Sequence, residues 1–151
     1  MQRKFLISVI AMLVVISASC ATTPSYQANA TKPGQAAILC AWASGQWGFF
    51  TYTQIEKVDG QHLSIWSQTG PGSMVDPGVR VLSVAATYVG GFGGRDTARV
   101  ELTATLKAGH TYLLKAERSD KLMTVWLEDQ DTHEAASERK TSSTTHWIQW
   151  L

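Results

Sequence analysis

The chain has 151 residues, a hydrophobic share of 44%, a charged share of 17% and a formal net charge of +1. This length predicts one domain with one core, and the composition is that of an ordinary globular protein. A net charge so close to zero excludes the basic surface with which proteins neutralise nucleic-acid backbones. We therefore do not expect nucleic acid as a partner.

The first 19 residues have the layout of an export signal. Arg3 and Lys4 form a cationic head, and residues 5–18 form an apolar run. This run is too short to cross about 30 Å of hydrocarbon comfortably as a helix. We predict a signal peptide over residues 1–19.

Small residues then lead into a cysteine, in the order Ser17, Ala18, Ser19 and Cys20. This arrangement resembles the lipobox, where the lipoprotein signal peptidase cleaves after the cysteine thiol has been diacylated. The resemblance implies a lipid anchor on Cys20, and Ala21 in the next position implies the outer membrane of a Gram-negative cell, with the domain in the periplasm. The alternative is plain secretion after cleavage by the general signal peptidase at a small-x-small site such as residues 19–21.

Residues 20–35 predict the lipidated cysteine followed by a flexible tether. The segment is rich in Thr, Pro, Ser, Asn and Ala and shows no hydrophobic period. A flexible chain of this length has a root-mean-square span of roughly 20 Å. With Cys20 acylated, Cys40 has no second cysteine for an intramolecular disulfide, and its apolar neighbours predict a small buried side chain.

From residue 36 onward, β-branched and aromatic runs alternate with turn residues, as in a protein built of short strands. Asp59-Gly60 predicts a hairpin, because Gly readily takes a positive φ. Ala108-Gly109 predicts another turn, and the two-residue alternation just before it predicts a strand with one buried face. The predicted strands lie near residues 36–42, 49–58, 62–67, 79–89, 98–107, 111–117 and 122–128.

About seven short strands cannot form one flat sheet with both faces covered, so two layers are needed. We predict an all-β fold, an Ig-like antiparallel β-sandwich over residues 36–132, in preference to a partly closed barrel. Residues 133–151 are a polar segment followed by an apolar tail. The tail has two interpretations, an edge strand or a loose end.

Three stretches carry a further resemblance. Pro77-Gly78 begins one apolar run, Ala108-Gly109 precedes Tyr112 in another, and residues 125–129 follow. Together, residues 75–129 resemble the PEGA-like β-sandwich domain of uncharacterised bacterial lipoproteins. The resemblance implies a non-catalytic cell-envelope domain and supplies no active site.

No motif in the chain predicts catalysis or a cofactor. The glycines of residues 90–94 match no phosphate-binding pattern, so we interpret them as a hairpin loop, with Phe92 and Arg95 available to a partner. The acidic segment 128–134 begins like a calcium loop but lacks its Gly and Glu positions, which favours a solvated turn and no metal site. The histidines are scattered, and no nucleophile motif is present. We predict no catalytic residue.

The chain has six tryptophans, which is many for its length. Trp42, Trp66 and Trp126 fall within predicted strands and are expected to pack. Exposed aromatic rings mark interfaces and also stack on sugars. The weak candidates for binding are therefore Trp47, Phe92, Arg95, Trp147 and Trp150.

These observations favour a non-catalytic lipoprotein of the cell envelope that serves as an accessory or binding module for an envelope assembly. Its expected partners are the membrane, through the lipid anchor, and an envelope protein. The first alternative is a glycan or peptidoglycan binder that uses Trp47, Trp147 or Trp150. The second alternative is a small hydrolase built from scattered residues.

Overall fold

The computed structural model describes residues 36–39, 44–46, 49–63, 73–90 and 94–148. The described residues form eleven strands and no helix, which confirms the predicted all-β fold. It follows that no described segment is a long apolar helix of the kind that crosses a bilayer.

The described strands agree best with prediction where apolar and polar residues alternate most clearly along the chain. The prediction for residues 49–58 matches the observed strand, whereas the predictions for 36–42 and 62–67 continue into residues outside the described ranges. The strands in chain order are β1 (Ala36–Leu39), β2 (Ser44–Gln46), β3 (Phe49–Val58), β4 (Gln61–His62), β5 (Ser73–Val75), β6 (Gly78–Val89), β7 (Gly94–Leu106), β8 (Thr111–Ser119), β9 (Leu122–Asp129), β10 (Lys140–Ser143) and β11 (Thr145–Ile148).

The strands form two sheets. The first sheet has the order β10-β9-β8-β1-β5, and the second has the order β11-β7-β6-β3-β2, with β4 paired to β3. All the described pairs are antiparallel except β1 with β8, which run parallel. These two strands are far apart in sequence, so no hairpin fixes their relative direction.

The predicted hairpin at Asp59-Gly60 joins β3 to β4. Both turn residues have positive φ, 49° and 78°, as a two-residue type I′ turn requires. The Asp59 carboxylate also accepts hydrogen bonds from the Arg80 guanidinium and the Val81 amide, each at 2.9 Å. The turn is thereby fastened to β6 as well as to its own two strands.

The turn at Ala108-Gly109 is not a hairpin within one sheet. Strand β7 belongs to the second sheet and β8 to the first, so the chain crosses between layers here. Gly109 has a φ of 77°, which glycine adopts without a steric cost. The crossing places β8 opposite β3 across the core, where the Thr53 hydroxyl donates to Leu114 O at 3.0 Å.

The core lies between the two inner faces and follows the alternation of the sequence. Ile55, Leu102 and Leu127 are each 0% exposed. Tyr112 is also buried, and its hydroxyl accepts a hydrogen bond from the Lys107 amide at 2.7 Å. The only polar group of this large side chain is thereby satisfied, as burial requires.

The C-terminal segment closes one side of the sandwich. The Ala136 amide donates to Leu127 O (2.8 Å) and the Thr105 amide donates to Ala136 O (3.2 Å), so one short stretch bonds to both sheets. Strand β10 then completes the edge of the first sheet and β11 that of the second, with Thr144 between them. The described part of the tail is an edge strand, so the sheets extend past residue 132.

Replacing Leu127 by Ala is expected to destabilise the protein by about 2–5 kcal/mol, because it removes buried methyl groups and leaves a cavity. Leu122→Ala on the same strand is the matched control, since Leu122 is 48% exposed. Its effect is expected within about 0.5 kcal/mol. Urea denaturation of both variants measures the two values, and equal losses would contradict the assignment of Leu127 to the core.

Candidate functional site

Two of the predicted site residues lie side by side. Arg95 of β7 and Trp147 of β11 are register partners on adjacent antiparallel strands. The other sequence-derived candidates, Cys20, Trp47, Phe92 and Trp150, lie outside the described residues.

A row of residues crosses the outer face of the second sheet at this position. Phe50 of β3 pairs with Val89 of β6, Val89 pairs with Arg95, and Arg95 pairs with Trp147. Thr51 and Thr53 are buried, so Phe50 and Tyr52 take the opposite, outer face of β3. Phe50, Val89 and Arg95 share the outer face, with the Trp147 backbone next in register, and we call these four positions the aromatic row. With strands about 4.8 Å apart, the row spans roughly 14 Å.

The guanidinium of the aromatic row has no counter-charge among the residues that the structure describes. Arg95 is exposed and makes no ion pair or hydrogen bond within the described part of the chain. Arg99, four residues further along the same face, lies 3.1 Å from a carboxylate oxygen of Glu56. Arg95 is therefore the more available of the two guanidinium groups.

Exposed aromatic rings lie on both faces of β3 at this end of the sandwich. Phe50 is 40% exposed, and its ring centroid lies 6.1 Å from that of Tyr52. Phe49 is 46% exposed and stacks on Tyr88 at 6.5 Å. Large exposed aromatic side chains in one place are typical of binding surfaces.

Polar contacts behind the row join the two sheets. The Arg118 guanidinium, on β8, lies 4.0 Å from the Tyr88 ring centroid and donates to Asp96 Oδ2 at 2.7 Å. His146 Nδ1 lies 2.6 Å from Asp96 Oδ1. One carboxylate on β7 thereby connects the first sheet to the edge strand β11. We call Tyr88, Asp96, Arg118 and His146 the end clamp.

The aromatic row lies at the end of the sandwich opposite the point where the described chain begins. Strand β1 runs parallel to β8, and Ala37 pairs with Thr111 at the start of β8. Arg118 of the end clamp lies near the other end of β8. The nine residues of β8 span about 30 Å, so the two ends of the sandwich are about that far apart. We name the end where β1 begins the tether pole, after the tether that the sequence predicts before it, and the opposite end the aromatic pole.

The acidic segment 128–134 forms a hydrogen-bonded turn at the tether pole. Asp129 is 4% exposed, and its Oδ1 accepts the amides of Asp131 (2.9 Å) and Thr132 (3.3 Å). Its Oδ2 lies 2.7 Å from His110 Nδ1. Residues 130–134 are exposed, as a solvated turn predicts, but Asp129 is buried.

His110, Asp129 and Asp131 are also the described residues whose potential metal-ligand atoms come within 4.8 Å of one another. With the proton on Nδ1 of His110, both oxygens of Asp129 accept hydrogen bonds from protein donors. These bonds satisfy the buried carboxylate without a cation. These contacts therefore hold the turn of residues 128–134 in place.

The pKa values of two carboxyl groups near this turn lie below their ordinary range. Burial alone raises the pKa of Asp129, but the hydrogen bonds from the Asp131 and Thr132 amides and from His110 together outweigh it. For Glu128, the Lys115 ammonium at 2.6 Å lowers the pKa most. Both groups favour the folded state in their ionised form.

Two shallow cavities lie away from the aromatic row. One of about 270 Å³ is at the tether pole, lined by residues that include Tyr112, Asp129 and Glu134. The other, of about 280 Å³, lies beside the β-bulge in β3 and includes Lys57, Ser83 and Glu101. Neither cavity includes a residue of the row in its lining.

The sequence interpretation missed the aromatic residues of β3 and the whole end clamp. Phe50 lies inside a predicted strand, and the alternation of β3 was a signal that it faces outward. Asp96 and His146 are fifty residues apart, and only the register of β7 with β11 brings them together. No local pattern in the sequence indicates that contact.

Comparisons of this chain with protein-family models, with curated proteins and with solved structures give no match.

Asp129→Asn is expected to lower the urea midpoint at pH 7 and to reduce its acid dependence. The pKa of Asp129 is lower in the folded protein than in the unfolded chain, so its stabilisation is complete above the unfolded pKa. That stabilisation is lost as pH falls through the lowered folded pKa. Asp131→Asn, at an exposed carboxylate, is the control and should change both quantities less. A wild-type-like pH profile for Asp129→Asn would contradict this account.

Proposed function

We propose that this protein is a non-catalytic lipoprotein of the cell envelope, anchored through Cys20, whose β-sandwich is an accessory binding module for an envelope assembly. The lipid-anchored form belongs in the outer membrane with its domain in the periplasm. The proposed binding surface is the aromatic row with the neighbouring ring of Tyr52, and Phe49 lies at the same pole on the opposite face of β3.

The observation that carries the proposal is the position of this surface. Exposed Phe49 and Phe50 lie at the aromatic pole together with Arg95, whose guanidinium makes no ion pair with any described residue. Aromatic and Arg side chains are the residue types that contribute most to binding energy at interfaces. In this proposal the tether precedes Ala36, which begins β1 at the tether pole, so the surface at the aromatic pole faces away from the anchor and toward a partner beyond the membrane.

An envelope protein is the first partner that we propose. The end clamp supports such a role, because it fixes the strands beneath the row before any partner arrives. A surface ordered in advance binds with a smaller loss of conformational entropy. The conformational entropy of these strands is then lost during folding and not during binding.

A glycan is the second candidate partner. The specific observation in its favour is the pair of neighbouring rings on the outer face, Phe50 and Tyr52, with centroids 6.1 Å apart. The faces of such rings carry negative partial charge, which attracts the polarised C–H groups of a sugar.

Metabolic labelling with a fatty acid tests the anchor. The wild-type protein is expected to incorporate the label, and Cys20→Ala is expected to lose it completely, because diacylation requires the thiol. Cys40→Ala is the matched control and should label like the wild type. An unlabelled wild-type protein would reject the lipoprotein assignment.

Site-specific photo-crosslinking in intact cells tests the binding surface. A photoreactive amino acid at position 50 is expected to give a discrete crosslinked species, because Phe50 lies in the proposed contact. The control position is Val79, which is 65% exposed on the same outer face but lies at the tether pole. Equal crosslinking at both positions, or none at position 50, would contradict a partner at the aromatic row.

A further inference from the structure

The last two described strands are joined by one residue although they lie in different sheets. Strand β10 pairs with β9 in the first sheet, and β11 pairs with β7 in the second. Thr144 is the residue between them, and its amide donates to Lys121 O at 2.8 Å, beside β9. Packed sheets lie about 10 Å apart. The chain therefore changes layers over a very short stretch.

The side chains of β10 and β11 also face opposite ways. Thr141 lies on the outer face of the first sheet with its register partner Thr124, which stands between two core residues of β9. Thr145 lies on the outer face of the second sheet with its register partner Thr97, which precedes the core residue Ala98. Because the two outer faces point in opposite directions, the one-residue connection must also turn the strand over.

We propose that two copies of this chain exchange β11, so that β11 of each copy pairs with β7 of the other. In the exchanged dimer, the chain continues straight from Lys140 to Ile148 as one strand. Its first half pairs with β9 of its own copy, and its second half pairs with β7 of the second copy. His146 of each copy then completes the end clamp of the other. This inference goes beyond the proposed function and does not depend on it.

The backbone hydrogen bonds fit the exchange. In an antiparallel strand, successive residues bond alternately to one side and to the other. Thr144 bonds toward β9, so in a straight strand Thr145 bonds away from β9, toward the second copy. On β7, Gly94 O accepts from the Gly90 amide on the β6 side, so Thr97, three residues further, bonds away from β6. Thr145 and Thr97, which are register partners, thus meet with the correct edges facing each other.

The side-chain faces fit the exchange as well. Along a straight strand Thr141 and Thr145 share one face, because they are four residues apart. A two-fold axis parallel to the strands places the second sheet of one copy in line with the first sheet of the other, with their outer faces on the same side. Thr145 then reaches the outer face beside Thr97 without any reversal of the strand. His146 faces inward, on the side of Asp96.

The exchange disturbs little of the core. No described core side chain belongs to β11, and both Thr145 and His146 are exposed. The described contacts of β11 are its pairing with residues 94–97 and the contact of His146 with Asp96 at 2.6 Å. The dimer forms each of them again between copies. Exchange of an identical element is a low-cost route to dimers, and short connections favour it, so the occupant that fits this edge of β7 is a second copy.

Disulfide trapping in cells that express two differently tagged copies of the full chain tests the exchange. One copy carries Thr97→Cys and the other carries Thr145→Cys, so a disulfide between positions 97 and 145 forms only between copies. Hydrogen-bonded register partners have Cα atoms about 5.5 Å apart, which suits a disulfide. After mild oxidation we expect a heterodimer on a non-reducing gel, with a disulfide that peptide mapping assigns to positions 97 and 145.

The matched control places Val79→Cys in one copy and Thr105→Cys in the other. These exposed register partners of β6 and β7 stay within one copy in the exchanged dimer, so no disulfide between positions 79 and 105 is expected. A single chain with both Thr97→Cys and Thr145→Cys shows that the variants fold with β11 on β7. Its disulfide forms with or without exchange.

A longer connection provides a second measurement. Insertion of Gly-Ser-Gly between Thr144 and Thr145 allows β11 to return to β7 of its own copy more easily. The yield of the disulfide between copies is therefore expected to fall. An unchanged yield would contradict the role of the short connection.

Two results of the trapping experiment would overturn the exchange. These are a disulfide in the doubly substituted chain without one between the two single variants, and equal trapping of the control pair. If the doubly substituted chain forms no disulfide, a photoreactive amino acid at position 145 replaces the cysteines. A crosslink to the second tagged copy then supports the exchange, and a crosslink confined to its own chain rejects it. None of these outcomes changes the test of the binding surface at position 50.

Discussion

The pairing of β6 with β7 determines what this domain presents to its surroundings. The two strands are in register from Gly78 with Leu106 to Val89 with Arg95, and the Gly90 amide donates to Gly94 O at 2.9 Å. Side chains alternate between faces along a strand, so a slip of one residue would exchange core and surface positions. Arg95 would then face inward and Asp96 outward, which would remove the aromatic row and the end clamp together.

The end clamp links this register to the other sheet. Sandwich sheets ordinarily meet through apolar side chains, whereas at the aromatic pole Arg118 reaches across to Asp96. The same carboxylate accepts from His146 on the terminal edge strand, so three strands from two layers share one charged group. The exposed rings consequently lie on a part of the sandwich where contacts of Asp96 hold β7, β8 and β11 together.

The sequence was sufficient to predict the long strands but not to predict the candidate site. Strands β3 and β7 alternate clearly, and Asp59-Gly60 defined a hairpin because few other sequences adopt positive φ twice. Strands β5, β10 and β11 are only three or four residues long and carry too little periodicity to recognise. Arg95 was a candidate binding residue from the sequence because it follows a glycine-rich loop. Phe50 and the Asp96–His146 contact depended on pairings between distant strands, which local patterns do not encode.

The parallel pair in the first sheet has a consequence for how the chain folds. Ala37 and Thr111 are register partners although more than seventy residues separate them. Non-local contacts of this kind slow folding, because the entropy of closing a long loop is lost before the contact forms. Until β1 arrives, the open edges of β8 and β5 are available to other chains, so this is the period in which the domain is most prone to aggregate.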